Sequence, residues 1–302
     1  MSGSRFEGPE VRESGSLVCV VFPTESHFSE PSPPMSNIPD LNDNRTSGLP
    51  DFRTRGNDDF RTSGPPDFRT RGNPPSCNVS FLTWQLIDAT FPSGGFAHSG
   101  GVEAAMALGG VRSEADLVGL LRDGIRQWAT QSGPLTAGAF DVSSDLQHME
   151  GITEIDAWCA ALLAGNAVAA QASRAQGVSF LMAAEGLCPA IAELRQHLRT
   201  AASPAHLAVI MGACGRLLGC DRSTTLAMSA YVNMRGCLSA AVRLNVIGPL
   251  AAQVVQASLG DDLAAAITTA SALPWRDAAT SRPFLDLEQG HHGRLYSRLF
   301  QS

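Results

Sequence analysis

Helical character is clearest in residues 113–128, SEADLVGLLRDGIRQW. Ser113 followed by Asp116 has the form of a capping box, in which one polar side chain starts a helix and a second supports it three residues later. The apolar side chains that follow recur at helical spacing and fall on one face: Leu117, Leu120, Leu121, Ile125 and Trp128. The pattern predicts an amphipathic helix with one buried face.

Similar signals recur towards the end of the chain. Thr153-x-x-Asp156 predicts one further helix start, and Ser203-Pro204, an N-cap followed by a proline at the first helical position, predicts another whose helix runs to about Gly219. A long helical stretch covers residues 223–244 and is followed by a break at Gly248-Pro249. The acidic pair Asp261-Asp262 then predicts the first turn of a last helix. The region has no Asn-Gly hairpin signal and no useful alternating β-branched run. We predict an all-α fold, with one compact domain of about seven to nine helices over residues 77–302.

Residues 1–76 differ from this pattern, since they are rich in Pro, Gly, Ser and charge and have no sustained apolar period. Within them, residues 43–74 form an octapeptide repeat whose later units share the core Asp-Phe-Arg-Thr-x-Gly. One Phe per unit buries too little surface to offset the entropy of ordering, so we predict a disordered leader. The alternative is a linear partner-binding motif, with Phe as its anchor and Arg as its polar contact.

Composition excludes several classes of function. The formal net charge is −7, so the chain lacks the basic field that nucleic-acid binding requires. All 22 basic residues are Arg, and without lysine there is neither a Walker A loop nor a pyridoxal phosphate Schiff base. The seven cysteines form no Cys-x-x-Cys pair and no secretory signal precedes them, which predicts reduced thiols in the cytoplasm. No apolar run approaches the length of a membrane span.

The densest motif is residues 84–103, WQLIDATFPSGGFAHSGGVE. We predict a short helix that Pro92 stops, followed by a turn at Gly94-Gly95. The two aromatic residues of the motif, Phe91 and Phe96, are expected to pin this turn to the core. From the residues alone, the segment is a well-capped connection between two helices.

The polar end of this motif also allows an enzymatic interpretation. We expect a helix to restart near Ser99, with His98 and Ser99 at the mouth of the turn. Residues 97–101 fit Ala-x-Ser-x-Gly, a variant of the nucleophile elbow of α/β-hydrolases, and the chain later supplies nominal triad partners: Asp286, His291 and His292. An elbow must follow a buried strand, however, and no alternating strand–helix pattern is present. A serine hydrolase using Ser99 is therefore the minor alternative, which a helix-dominated circular dichroism spectrum would remove.

Three ordered stretches carry a family resemblance: Asp88-x-x-Phe91-Pro92-x-Gly94-Gly95-Phe96-Ala97-His98-Ser99-x-Gly101-x-Glu103; Thr224-Thr225 through residues 239–250, SAAVRLNVIGPL; and residues 289–300, QGHHGRLYSRLF. Together they resemble the urease accessory protein UreF family, particularly its plant form. A weaker match over residues 166–177 places Ala167 and Gln171 where the family is expected to have charged residues. The resemblance spans about residues 80–302 and excludes the leader.

The resemblance implies an all-α, dimeric, non-catalytic protein that needs no cofactor. Such a protein binds the accessory protein UreD (also UreH) and recruits or regulates the GTPase UreG on apo-urease, so that nickel is inserted. The residues it marks for partner binding or for the structure of the motifs are Phe91, Pro92, Gly94, Gly95, Phe96, His98, Ser99, Glu103, Arg243, Asn245, Gly248, Pro249, His292, Arg294, Tyr296, Arg298, Leu299 and Phe300. A helical interaction module unrelated to urease is the remaining alternative, favoured if the genome lacks urease and its GTPase.

No stable metal site is expected on this chain. His291 and His292 are adjacent, and neighbouring side chains on a helix diverge by about 100°, so two of them rarely share one ion. Cys-x-x-Cys and His-x-x-x-His spacings are both missing. Transient passage of nickel near His98 or Glu103 remains a hypothesis without a supporting pattern.

The C-terminal tail, about residues 283–302, is predicted to dock on the accessory partners. Leu295, Tyr296, Leu299 and Phe300 have the spacing of one apolar helical face. Arg294 and Arg298 stand four residues apart on an adjacent face, suited to contacts with carboxylates. The alternative is that the tail packs on its own domain and leaves both arginines solvated.

Overall fold

The computed structural model describes residues 81–144 and 149–302. The predicted leader and its repeats lie outside the described residues. Within them the chain forms the following α-helices: α1 (Phe81–Ile87), α2 (Val102–Ala107), α3 (Glu114–Thr130), α4 (Ser132–Val142), α5 (Glu150–Leu162), α6 (Ala167–Glu185), α7 (Pro189–Thr200), α8 (Leu207–Leu217), α9 (Arg222–Arg243), α10 (Pro249–Ser258), α11 (Gly260–Ala272) and α12 (Pro283–Gly290). Short 3-10 turns occupy Gly95–Ala97, Trp275–Asp277 and His291–Arg294.

The all-α prediction is confirmed, since these described ranges contain helices and turns but no strand. The twelve α-helices of the described ranges exceed the seven to nine predicted, and α3 and α4, for example, are separated by the single residue Gln131. None of the described helices is both long and apolar enough to cross a membrane.

Helix α3 begins as its sequence predicts. The Ser113 hydroxyl accepts the Asp116 main-chain N–H at 3.2 Å and donates to the Asp116 carboxylate at 2.9 Å. Most of the predicted apolar face is buried, with Leu117 and Trp128 at 0% and 4% exposure, and Leu120 is half-buried at its edge. Local capping and periodicity were therefore sufficient to define this helix.

Helix α4 joins the two halves of the core. One hydrophobic cluster is built mainly from α5 to α8 with Leu135 and Ala139 of α4, and it also includes Leu86 of α1 and Met228 of α9. The other is built mainly from α2, α3 and α9 to α11 with Ala137 of α4. Helix α8 crosses α4 so closely that a Cβ on Gly212 would overlap the Thr136 carbonyl oxygen. Small residues on both helices permit this approach.

Two predicted helix starts are wrong, for one shared reason. Helix α5 begins at Glu150 rather than at Thr153, and α8 begins at Leu207 rather than after Ser203-Pro204. The buried Asp156 carboxylate accepts the main-chain N–H groups of Ala205 (2.7 Å) and His206 (2.8 Å). Asp156 thus fixes the approach to α8, on a different part of the chain, instead of capping its own helix.

The last motifs before the tail form helix ends. Asn245 takes the left-handed conformation, at φ +57°, immediately after α9. The main-chain N–H groups of Asn245 and Val246 donate to the Val242 and Ala241 carbonyls at 3.1 and 3.0 Å, which is a Schellman motif. Gly248 then caps α10 with Pro249 at its first position, as predicted. The acidic pair Asp261-Asp262 lies in the first turn of α11, also as predicted.

Candidate functional site

The motif loop, residues 88–101, connects α1 to α2. Helix α1 ends at Ile87, before Pro92, because Asp88 turns the chain: its carboxylate accepts the Thr90 main-chain N–H at 2.7 Å. Gly94 then takes the left-handed conformation at φ +73°, and Gly100 and Gly101 do so at +62° and +94° before α2 begins at Val102. The turn is where the sequence places it, but both flanking helix boundaries differ from prediction.

The two aromatic residues of the loop have different environments. Phe91 packs against Phe180 with ring centroids 5.1 Å apart, so it pins the turn to the core as predicted. Phe96 does not, because 74% of its surface is exposed. Its ring lies 4.0 Å from the guanidinium carbon of Arg243.

His98 and Ser99 are buried, contrary to the prediction that they lie at the mouth of the turn. Both contact Ser302, in the part of the predicted tail that follows α12; the word tail refers below to this part, residues 291–302. The His98 Nδ1 lies 2.5 Å from the Ser302 hydroxyl, and the Ser99 main-chain N–H donates to the Ser302 main-chain oxygen at 2.6 Å. Burial, and the nearby His292, lower the pKa of His98 below its ordinary value.

The tail does not form the predicted apolar helical face. After the 3-10 turn, residues 295–302 are not helical. Phe300 is buried, whereas Tyr296 and Leu299 project into solvent, so the residues expected on one face separate. The physical cause is that the main-chain N–H groups of Leu299 and Phe300 donate to a side chain of α2, whereas in a helix they would donate to main-chain carbonyl groups four residues earlier.

That side chain is Glu103, in the first turn of α2. Its Oε1 accepts the Leu299 N–H at 2.5 Å, and its Oε2 accepts the Phe300 N–H at 3.2 Å. Oε2 also lies 2.8 Å from Nε2 of His292, a residue with no exposed surface. Glu103 is itself only 7% exposed, so three contacts from the tail satisfy a buried carboxylate. The sequence motif includes Glu103, but nothing in its spacing indicates this partner.

Arg243, which belongs to the second of the three family motifs, contacts both the motif loop and the tail. Its guanidinium carbon lies 4.0 Å from the Phe96 ring centroid and 4.2 Å from that of Phe300. One cation therefore stands between an aromatic residue of the motif loop and one of the tail. Partial burial lowers the pKa of Arg243 from its ordinary value, without a carboxylate partner in the described residues. The end of α9, the motif loop and the tail thus meet.

The remaining predicted residues lie elsewhere or point outward. Pro92, Gly94 and Gly95 shape the loop, and the Asn245 to Pro249 connection shapes the end of α9. Arg294 and Arg298 are exposed, and neither pairs with a carboxylate in the part of the chain that the structure describes. Both remain available to a partner.

A cavity of about 740 Å³ lies beside the motif loop, between α3, α6, α8, α9 and α12. Leu135, Met211 and Met234 are among the apolar side chains that line it. Asp286 of α12 also faces it, and burial raises the pKa of this carboxyl despite hydrogen bonds from Gln127 and Asn166. From the sequence alone, Asp286 is only a nominal triad member.

The geometry does not support a hydrolase triad. Ser99 follows a 3-10 turn and an extended residue rather than a strand, and its hydroxyl is buried and donates to the Ser302 main-chain oxygen at 3.0 Å. Asp286 is bonded to amides, His292 to Glu103, and His291 contacts the Leu287 carbonyl. The structure brings none of these histidines to the Ser99 hydroxyl.

The adjacent histidines diverge as their spacing suggests, since His291 is exposed and His292 is buried. Among the described residues there is no group of three or more His, Cys, Asp or Glu side chains arranged to hold a metal ion. The His292–Glu103 contact is an intramolecular hydrogen bond between two of the sequence motifs.

Comparison with known proteins agrees with the resemblance of the motifs. The UreF family model matches residues 111–260. Urease accessory protein F of Oryza sativa subsp. indica is 34% identical over 221 residues, covering 72% of this chain and 83% of the relative. The Arabidopsis thaliana protein of the same name is 34% identical over 230 residues, covering 72% and 91%. Urease accessory protein UreF of Methylobacterium radiotolerans is 31% identical over 216 residues, covering 70% and 92%. The chain therefore belongs to the UreF family of urease accessory proteins.

Proposed function

We propose that this chain is a non-catalytic accessory factor required for the insertion of nickel into apo-urease. It acts as a scaffold that binds UreD (UreH) and recruits or regulates the GTPase UreG, and it works as a homodimer. Nickel is the cargo of this process and not a resident cofactor of the chain. Membership of the family of urease accessory proteins is the main support for this proposal.

The observation that supports partner binding is the unusual exposure of the tail. Tyr296 is fully exposed and Leu299 is 62% exposed, although Glu103 accepts the main-chain N–H groups of Leu299 and of the following Phe300. Phe284 and Leu287 of α12 are also largely exposed. Tyrosine and arginine are enriched in protein interfaces, and a rigid aromatic side chain loses little entropy when it is buried by a partner.

Charge complements this apolar surface. Arg294 and Arg298 flank Tyr296 and have no carboxylate partner among the described residues. The surface therefore suits a partner that presents carboxylates around an apolar pocket. The lack of lysine also supports a chain that recruits a GTPase rather than one that is itself a GTPase, because a P-loop that hydrolyses GTP must then belong to another protein.

The function is tested by co-expressing urease and its other accessory proteins with and without this chain. We expect urease to lose most of its nickel and activity when the chain is omitted, at unchanged urease abundance. Metal content is measured on purified urease by elemental analysis. Equal nickel content in both samples would contradict the proposed function.

The docking surface is tested separately with Arg298→Ala and Tyr296→Ala. Removing one member of an interfacial charge pair that becomes buried costs roughly 2–5 kcal/mol, which corresponds to about thirty-fold to several-thousand-fold weaker binding. Arg199→Ala, at an exposed position in the last turn of α7, is the matched control and should bind UreD normally. If both tail variants bind UreD as the unchanged chain does, the partner docks elsewhere.

A further inference from the structure

We propose that the connection between α7 and α8, residues 201–206, is a pH-sensitive switch. It is closed, bound to Asp156 of α5, while the His206 side chain is neutral, and it opens locally when His206 takes up a proton. The switch involves contacts within this chain and none of the residues of the three family motifs, so it does not rest on the proposed function.

The connection is held closed by one buried carboxylate. Asp156 has no exposed surface, and its oxygens accept the Ser203 hydroxyl and the main-chain N–H groups of Ala205 (2.7 Å) and His206 (2.8 Å). A buried carboxylate is costly unless it is hydrogen-bonded, so Asp156 depends on the connection as much as the connection depends on Asp156. Because all three contacts are made by one side chain, they can be lost together.

The closed connection is also strained. Ala202 and Ala205 take the left-handed conformation at φ +51° and +60°, which is unfavourable for a residue with a Cβ. On the other side of the connection, a Cβ on Gly177 of α6 would lie 1.9 Å from the Ala205 carbonyl oxygen, so the main chain packs directly on that helix. Opening would relieve the strain at both alanines, and the contacts of Asp156 must outweigh it.

His206 is the group of the connection that can respond to pH. Its side chain is 1% exposed, and its Nδ1 has no hydrogen-bond partner in the described residues. The protonated ring would bury a positive charge and a donor at Nδ1 that has no acceptor. The opened connection exposes the ring to solvent, so proton uptake favours opening.

The charged and titratable groups around the ring come from α5 and α6. Burial has the largest effect and lowers the pKa of His206 below its ordinary value of 6.5, while Asp156 raises this pKa and Arg174 of α6 lowers it. Cys159, one turn from Asp156, stays a neutral thiol because burial and Asp156 raise its pKa. No charged group of α4, α7 or α9 in the described ranges acts on the pKa of His206.

The direction of the pH effect follows from this lowered pKa. Below pH 6.5 the opened form, with an ordinary histidine, binds a proton more readily than the closed form does. The stability of the closed connection is therefore fully present above 6.5 and declines as pH falls below that value. The switch opens in acid and closes again when the proton is released.

The test is hydrogen exchange of the full chain, measured by mass spectrometry between about pH 7.5 and 5.5. The peptide that contains the Ala205 and His206 amides reports opening, after correction for the intrinsic exchange rate at each pH. Uptake of one proton by an opened form with a pKa of 6.5 raises the opening equilibrium by at most about ten-fold over this interval. We expect exchange of this peptide to rise about three- to ten-fold, and that of the buried face of α3 by less than about two-fold.

Two variants remove the proton site. His206→Gln keeps a polar side chain that cannot be charged, and His206→Phe keeps a ring without nitrogen atoms. Either should abolish the rise of exchange in acid, whatever its effect on exchange at neutral pH. The matched control is His197→Gln in α7, because the His197 Nε2 is also buried without a partner in the described residues, and the rise should persist there. Circular dichroism shows which variants are folded.

The proposal is overturned if exchange at the connection of the unchanged chain does not rise in acid, or if the rise persists in a folded His206 variant. Loss of the rise in His197→Gln would also overturn it and would assign the proton to α7. If neither His206 variant folds, a rise that survives in His197→Gln supports the proposal. These outcomes are distinct from failure of the proposed function, which is refuted if urease gains its nickel without this chain, whether or not the connection opens in acid.

Discussion

Replacing Gly94 by alanine should destabilise the motif loop, whereas the same change at the adjacent Gly95 should not. Gly94 has φ +73° and ψ 1°, a left-handed conformation that side chains with a Cβ rarely adopt. Gly95 does not have a positive φ and begins the 3-10 turn. The two glycines therefore form a matched pair of sites in one turn. Comparing the two alanine variants separates the effect of the left-handed backbone from the effect of changing a glycine of this loop.

The magnitude follows from the surroundings of each glycine. A Cβ on Gly94 would lie 3.6 Å from the Ser179 hydroxyl, an ordinary contact, so the penalty comes from φ alone. The left-handed conformation costs about 1–2 kcal/mol, and the stiffer unfolded chain offsets about 0.4–1 kcal/mol of this cost. The free energy of unfolding should therefore fall by about 1 kcal/mol. A Cβ on Gly95 would lie 3.3 Å from the Gln176 amide oxygen, which can move aside, so that change should stay within about 0.5 kcal/mol.

The assay is urea unfolding of both variants, followed by circular dichroism in the helical band. For a domain of this size, a loss of about 1 kcal/mol also lowers Tm by roughly 2–4 °C. If Gly94→Ala unfolds at the same urea concentration as Gly95→Ala, the left-handed turn is not what the loop requires. A larger loss at Gly95 than at Gly94 would refute the assignment of the turn itself.

Four further predictions follow from the remaining elements. Gly212→Ala should destabilise the fold by about 3 kcal/mol or more because its Cβ overlaps the main chain of α4, whereas Gly236→Ala, with open space around it, should be neutral or slightly stabilising in the same urea assay. Asp221 caps α9, and hydrogen bonds from the first turn of that helix lower its pKa to about 2. Its contribution to the stability of the fold is therefore fully present above its ordinary pKa of 3.8 and is lost as pH falls towards 2. Asp221→Asn should flatten the dependence of Tm on pH in this window. Ser99→Ala removes one of two hydrogen bonds to the tail oxygen and should leave urease activation largely intact; abolition of activity in a folded variant would restore the nucleophile interpretation. Deleting residues 1–76 should leave urease activation within ten-fold of normal, and a larger loss with folding intact would show that the repeats are functional.

Features that depend on neighbours along the chain were available from the sequence. Ser113 and Asp116 start α3, Pro249 starts α10, and the apolar spacing of α3 identifies its buried face. Capping and periodicity act within one or two helical turns, so they appear as short patterns. The same locality made the all-α class predictable without any knowledge of how the helices pack.

Predictions from local patterns were wrong where a side chain binds a distant part of the chain. Asp156 has the spacing of an N-terminal residue of its own helix, yet its carboxylate caps the approach to α8. Phe96 has the character of a core residue, yet its ring is exposed beside Arg243, whereas the Phe300 ring, also beside Arg243, is buried. A sequence pattern shows the spacing at which apolar side chains recur, but it does not show which distant part of the chain each side chain will contact.

The amino-acid sequence is enough to establish that this chain is helical, lacks a P-loop lysine and carries the motifs of its family. That three of those motifs converge is visible only in the folded chain, where Glu103 and Leu299 are in contact across 196 positions of the sequence. The hydrogen bonds of a helix are local and leave a periodic trace in the sequence. A buried carboxylate that binds the main-chain N–H groups of a distant tail leaves none, because a main-chain N–H is common to every residue except proline.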